Sequence, residues 1–287
     1  MTRDRRPSYR GRPLPRPADD LEDQGLGFDL GTLGRRRMLR VLGLGAVAVG
    51  VAACGGTTST TAPSTSPGEI PDETAGPFPG DGSNGANVLT QSGIVRSDIR
   101  SSFGGPTGTA QGVPMTLELT VADLARGGAP FAGAAVYVWH CDRAGEYSLY
   151  SENIAGENYL RGVQIADASG GVRFTSIIPA CYAGRWPHIH FEVYPDAASI
   201  ADPDNAIATS QVVLPEDTCR QVYGQPGYEQ SVTNLSEVGL DSDNVFGDDG
   251  GASQLGTVTG DVTRGYAVAL PVRVDTRTAP TGGGAPR

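Results

Sequence analysis

Five runs of this 287-residue chain alternate apolar and polar residues with a period of two: 113–121, 134–140, 172–178, 188–194 and 266–274. Clusters of Gly, Pro, Asn and Asp separate them. Successive side chains of a strand point to opposite faces, so runs of this kind build sheets with one buried face. No stretch beyond residue 73 sustains the 3.6-residue period of an amphipathic helix. Many short strands joined by turns predict an all-β fold, a single β-sandwich domain over residues 73–276, with a barrel as the alternative. Short helical turns are expected within 197–207 and 215–230.

The flanks read differently. Pro, Arg and Asp dominate residues 1–34, a composition suited to a disordered leader. Arg35, Arg36, Arg37 and Arg40 then precede a run of small and apolar residues from Val41 to Ala53, which ends at Cys54. As a helix this run would span about 20 Å, short of the ~30 Å hydrocarbon core, so a targeting segment is expected in place of a transmembrane anchor. The arginine pair is similar to a twin-arginine export signal, and Val51-Ala52-Ala53-Cys54 resembles a bacterial lipobox, whose cysteine is lipidated. Residues 35–54 are therefore expected to be a signal, 55–72 a Thr/Ser/Pro/Gly tether, and 277–287 a disordered tail. The expected location is the outer face of the cytoplasmic membrane or the cell surface, with lipid on Cys54 as the sole membrane contact.

Charge narrows the partners. Of 22 basic and 32 acidic residues, 10 and 6 precede Cys54, which leaves 12 against 26 and a net charge near −14 beyond it; no lysine occurs anywhere. Such a surface repels nucleic acid and anionic lipid, and neither is expected as a partner of the domain. Besides Cys54 there are Cys141, Cys181 and Cys219. At most one internal disulfide can join three thiols, and the sequence does not choose among the three pairings.

Two of the three histidines, His188 and His190, stand two apart in the apolar alternation of Ile189, Phe191 and Val193. On a strand both imidazoles point to one face while the aliphatic partners face the core, and paired neutral imidazoles are common ligands for transition metals. Tyr182 and Arg185 lie six and three residues before His188, and Tyr147 follows the end of an earlier strand. His140, alternating with Val136 and Val138, reads as a structural or supporting histidine. Asp241-Ser242-Asp243-Asn244 with Asp248-Asp249-Gly250 lacks the spacing of a calcium loop and reads as a solvated acidic turn.

Several segments, in order, resemble one family. They are Gly133-Ala134-Ala135-Val136-Tyr137-Val138-Trp139-His140-Cys141-Asp142, Gly145-Glu146-Tyr147-Ser148, Leu160-Arg161-Gly162-Val163-Gln164, Phe174-Thr175-Ser176-Ile177-Ile178-Pro179 and Gly184-Arg185-Trp186-Pro187-His188-Ile189-His190-Phe191. Val95 to Ile99, Thr209-Ser210-Gln211 and Gly265 to Leu270 extend the likeness over residues 73–275. Together they resemble the intradiol ring-cleavage dioxygenases, non-haem Fe(III) enzymes that open catechols between the two hydroxyls with O2 to give muconate-type diacids. The resemblance implies Tyr147, Tyr182, His188 and His190 as iron ligands, with Arg185, Tyr182 and Gln211 as catalytic residues. It implies Fe(III) and O2 with no organic cofactor, a small catecholic substrate, and a possible homo-oligomer. Two phenolates offset the charge of a hard ferric ion, and two imidazoles complete the protein's share. The chain departs from the family at Cys181, where relatives often carry a large or aromatic residue, and in having no helical dimerisation segment before the sandwich. The first bears on substrate shape, the second on subunit number. The competing reading is a non-catalytic cell-surface β-sandwich binding module with a structural metal.

Overall fold

The computed structural model describes residues 8–9, 12–13 and 66–280. The predicted signal, Cys54 and most of the predicted leader and tether lie outside the described residues. In the leader, Ser8–Tyr9 pairs antiparallel with Arg12–Pro13. Residues 66–280 fall in one compact unit, and among the described residues no helix is long and apolar enough to cross a membrane.

That unit is a two-sheet sandwich. Its strands are β1 (Pro114–Asp123), β2 (Ala129–Pro130), β3 (Ala135–Trp139), β4 (Arg161–Ile165), β5 (Gly171–Ile177), β6 (His188–Tyr194), β7 (Ala208–Val213), β8 (Thr257–Asp261) and β9 (Gly265–Val274). Two short helices, α1 (Glu216–Tyr223) and α2 (Glu229–Glu237), follow β7. The outer sheet runs β8-β9-β1, with β5 and the short β2 both pairing the far side of β1; β9 lies parallel to β1 and its other pairs are antiparallel. The inner sheet runs β4-β3-β6-β7, antiparallel throughout.

The core lies where the two sheets face each other. Met115, Leu117, Leu119 and Val121 from β1, Phe174 from β5, and Val268, Leu270 and Val272 from β9 meet Val136, Val138, Ile189, Phe191, Val193 and Val212 of the inner sheet. Strand β1 alternates buried with partly exposed positions, as its sequence predicts. Strands β3, β6 and β7 are buried at every position. Their second face carries Tyr137, Trp139, His188, His190 and Gln211, and the preceding chain covers part of it: Pro79 O accepts from the Tyr137 hydroxyl at 2.6 Å, and Thr74 O from Gln211 Nε2 at 3.1 Å.

Two boundaries shift. Residues 66–72, expected within the tether, join the domain: Ile70 N donates to Arg273 O at 2.8 Å and Ile70 is buried in the core. Glu69 accepts from Asp275 N and from the Thr278 hydroxyl, so residues 277 and 278 of the predicted tail are also tied to the domain. The reason is local: Ile70 supplies the apolar anchor that the Thr/Ser run before it lacks.

Candidate metal centre

The second face of β6 presents both imidazoles side by side. Cross-strand register sets Trp139 of β3 and Gln211 of β7 on either side of His190. The Trp139 ring stacks on His190 with centroids 4.8 Å apart and planes 6° from parallel. The turn that leads from Pro179 into β6 carries Tyr182 and Arg185. The loop between β3 and β4 brings in Tyr147.

That loop needs unusual backbone. Leu149 and Leu160 hold positive φ angles of 72° and 56°, a region costly for side chains with a Cβ. Backbone bonds from Leu149 N to Glu157 O and from Leu160 N to Ile99 O keep them there. Gly145, at φ 87°, faces Tyr182 so closely that an added Cβ would lie 3.3 Å from the tyrosine Cβ. Buried Arg161 stitches the loop down, donating to Ser148 Oγ and Ser148 O, to the Tyr137 hydroxyl, and to Phe78 O and Pro79 O. Phe78 in turn lies against Tyr147, its ring centroid 4.8 Å away.

Four donor atoms converge. Tyr147 Oη is 3.5 Å from Tyr182 Oη, Tyr182 Oη is 3.3 Å from His188 Nε2, and His188 Nε2 is 3.0 Å from His190 Nε2. These edges are what ligands about 2.0–2.2 Å from one shared ion would show. His188 Nδ1 donates to Trp186 O at 2.6 Å, which leaves the Nε2 lone pair facing the cluster. Nδ1 of His190 is buried without a hydrogen-bond partner, so the stacked Trp139 and the cluster orient this ring. Burial holds both imidazole pKa values well below the ordinary value; nearby Arg185 adds to this at His188, and His188 followed by Arg185 at His190. Two imidazole nitrogens 3.0 Å apart, with two phenol oxygens next to them, are spaced to share a proton or to bind one cation jointly, so the residues fit a metal ion. Among the described residues no group of three or more His, Cys, Asp and Glu could hold one; here two of the four donors are phenols.

Arg185, 1% exposed, sits beside the tetrad. It donates through NH2 to Gln211 Oε1 at 2.7 Å and through Nε to Asp243 Oδ2 at 3.0 Å, and its guanidinium lies 5.7 Å from the Phe246 ring centroid. All six residues expected at the site are thus neighbours. His140 stays out of it, bonding Cys141 O and Ser176 Oγ at 2.7 and 2.8 Å. The three described cysteines are buried free thiols, so none of the three pairings forms. Burial raises the pKa of all three, Cys181 to about 12, and keeps them as unreactive thiols.

Sequence reasoning missed Asp243, Arg161, Phe78 and the Thr74 carbonyl. Asp243 belongs to the run expected to be a solvated acidic turn, whereas it is 2% exposed and paired with Arg185; its neighbours Asp241, Asp248 and Asp249 are the exposed ones. Arg161 stands within Leu160-Arg161-Gly162-Val163-Gln164, where no neighbouring residue marks it as buried.

A two-sheet sandwich whose inner sheet brings two phenols and two imidazoles together is a β fold with a candidate mononuclear metal site. The Dioxygenase family model matches residues 96–197, a span that includes all four donors and Arg185. A catechol 1,2-dioxygenase from Pseudomonas sp. (strain EST1001) is 41% identical over 71 residues, which span 25% of this chain and 22% of that protein. The solved intradiol ring-cleavage dioxygenase from Tetranychus urticae is 20% identical with a TM-score of 0.58, covering 76% of this chain and 99% of its own. A second solved dioxygenase gives 20%, 0.60, 76% and 98%. At such identity these two structures establish the fold. The chain thus shares the fold of the solved intradiol ring-cleavage dioxygenases and, over residues 96–197, the sequence pattern of the Dioxygenase family model.

Proposed function

We propose that this protein cleaves a catecholic ring between its hydroxyls with O2, using a non-haem ferric ion held by Tyr147, Tyr182, His188 and His190, to yield a muconate-type diacid. The observation that carries this reading is the convergence of two phenol oxygens and two imidazole Nε2 atoms, neighbour to neighbour at 3.0–3.5 Å, beside a buried arginine.

Bound Fe(III) would draw electron density from a chelated catechol and open its ring to O2. The chain's own residues do the rest. Tyr182 is the more exposed of the two phenols, 7% against 2% for Tyr147, and it rides on a turn where Tyr147 is packed under Phe78. Held as a phenolate by the bound ion, Tyr182 would take a proton from a substrate hydroxyl at Oη and become the neutral phenol. Trp186 O holds the proton of His188 at Nδ1, away from the cluster. Arg185 offers a fixed positive charge where negative charge develops on the ring, worth a few kcal/mol in a site closed to water. Gln211 steadies that guanidinium from the β7 side and is itself pinned by Thr74 O.

Oxygen uptake with catechol, hydroxyquinol and protocatechuate tests the activity, and bound iron with a red phenolate-to-iron charge-transfer colour tests the centre. A colourless, iron-free protein from iron-supplied cells would sink the enzyme reading in favour of a binding module. Export by the twin-arginine route with lipid on Cys54 belongs to the same proposal, supported by the sequence of residues 35–54. Mass spectrometry of the membrane-bound form tests it: an unmodified Cys54 in the exported protein refutes the anchor.

A further inference from the structure

The segment after the sandwich's inner sheet grips the turn that carries Tyr182 and Arg185. At the near end, Ser231 Oγ of α2 accepts from Cys181 N at 3.0 Å, and Asn234 Nδ2 donates to Cys181 O at 2.8 Å. At the far end stands Asp243, whose side chain is fully shielded from solvent. Its Oδ2 accepts from Arg185 Nε at 3.0 Å and from Trp186 N at 2.7 Å. Its Oδ1 accepts from Val245 N at 2.8 Å and Phe246 N at 3.1 Å. All four lone-pair sites of the carboxylate are used. The two bonds on Oδ1 fix the carboxylate to its own loop; the two on Oδ2 transmit that position to Arg185 and the adjoining peptide.

We infer that Asp243 is a positioning residue that aims Arg185 at the substrate, an inference that rests on the reading of the site given above. With Nε tied to Asp243, the guanidinium plane is set by two side chains from separate elements, Asp243 on one edge and Gln211 on the other, with Phe246 against its face. A buried arginine without its carboxylate would be an uncompensated charge free to turn toward whatever acceptor is nearest, including substrate oxygens in unproductive poses. Asp243 therefore leaves the tetrad untouched and acts through Arg185.

The test is a double-mutant cycle on the iron-loaded full chain, with Asp243→Asn, Arg185→Gln and both together. Asp243→Asn is expected to lower kcat on catechol by about 10–100-fold with KM changed far less, because the arginine serves charge that develops during the reaction. In the Arg185→Gln background the same change should cost less than about 2-fold. Iron content and the charge-transfer band should match the unaltered protein in every variant. Independently of activity, NMR of the metal-free protein should show slow exchange of Arg185 Nε–H, at least about 10-fold faster in Asp243→Asn. Additive losses in the cycle overturn the inference, as does a fall in iron and colour that tracks activity, since that would place Asp243's role at His188 through Trp186. Should Asp243→Asn fail to fold, the unaltered protein still decides: an Arg185 Nε–H exchanging as fast as that of exposed Arg173 refutes the pairing. Absence of oxygen uptake by the unaltered protein defeats the functional reading alone, and the exchange measurement then judges Asp243 separately.

Discussion

The two sheets spend their faces differently. In the outer sheet, β1 and β9 bury one face against the core and turn the other to solvent, where Glu118 and Arg173, opposed in register, pair at 2.6 Å with side chains 44% and 68% exposed. In the inner sheet, β3, β6 and β7 are buried on both faces, one against the core and the other around the four donors. The same residue type makes the contrast plain: Glu192 on β6 is 1% exposed, takes a hydrogen bond from the Tyr194 hydroxyl at 2.8 Å, and has its pKa pushed well up by burial. A site buried from solvent strengthens every charge interaction inside it, and the inner sheet supplies that burial because the chain around residues 74–79 and the loops cover its second face.

The sharpest way to break the contrast is on the inner sheet's site face. Replacing His190 with Ala, or Tyr147 with Phe, is expected to abolish iron retention and cut oxygen uptake by at least about 10³-fold, given that partners one shell further out already cost about 10–100-fold. Secondary structure by circular dichroism should survive, because neither side chain contributes to the inter-sheet core. Unchanged iron content in both variants would refute the ligand assignment. On the shared core, Phe174→Ala should cost about 3–5 kcal/mol in denaturant unfolding, since the ring is wholly buried between the sheets. Chains that remain folded should keep the charge-transfer colour, which separates core from site.

How far the sequence revealed each region follows from this division of faces. The outer sheet's long strands were legible because one face is wet and alternation survives; β6 was legible because its polar positions happen to be the ligands. Strand β7 was not recognised: Thr209, Ser210 and Gln211 are all buried, so the polar and apolar residues carry no record of which side is inside. Edge strand β8 failed for the opposite reason, being mostly exposed. At the site, Tyr147, Tyr182 and Arg185 became legible through the order of several motifs taken together. Asp243 stayed hidden since Asp241, Asp248 and Asp249 around it are exposed, and a sequence does not mark which aspartate of an acidic run is folded inward.

A smaller effect is expected where the chain before the sandwich, at Glu73, meets the site. Burial, followed by Asp248 and Asp249, raises the pKa of half-buried Glu73 to about 7, against the pull of Arg185. A carboxyl raised in the folded state binds more protons there than in the unfolded chain between pH about 4.5 and 7, so stability falls as pH climbs through that window and is level above it. Glu73→Gln should therefore unfold like the unaltered protein below pH 4.5 and be the more stable of the two above pH 7. Thermal midpoints that differ equally at pH 4 and pH 8 would exclude the linkage.

The least effect belongs to the solvent face of the outer sheet. Glu118 and Arg173 form a close pair, yet both side chains are more than a third exposed, so water screens the attraction and two long side chains lose freedom to make it. Glu118→Ala is expected to shift unfolding by no more than about 0.5 kcal/mol and to leave iron, colour and turnover unchanged. Glu192→Ala, by contrast, strips a buried partner from the Tyr194 hydroxyl and should exceed it severalfold in unfolding free energy. Comparable costs for the two glutamates would mean that the inner sheet's second face is wetter than its packing shows, and the dry-site argument for Arg185 would weaken with it.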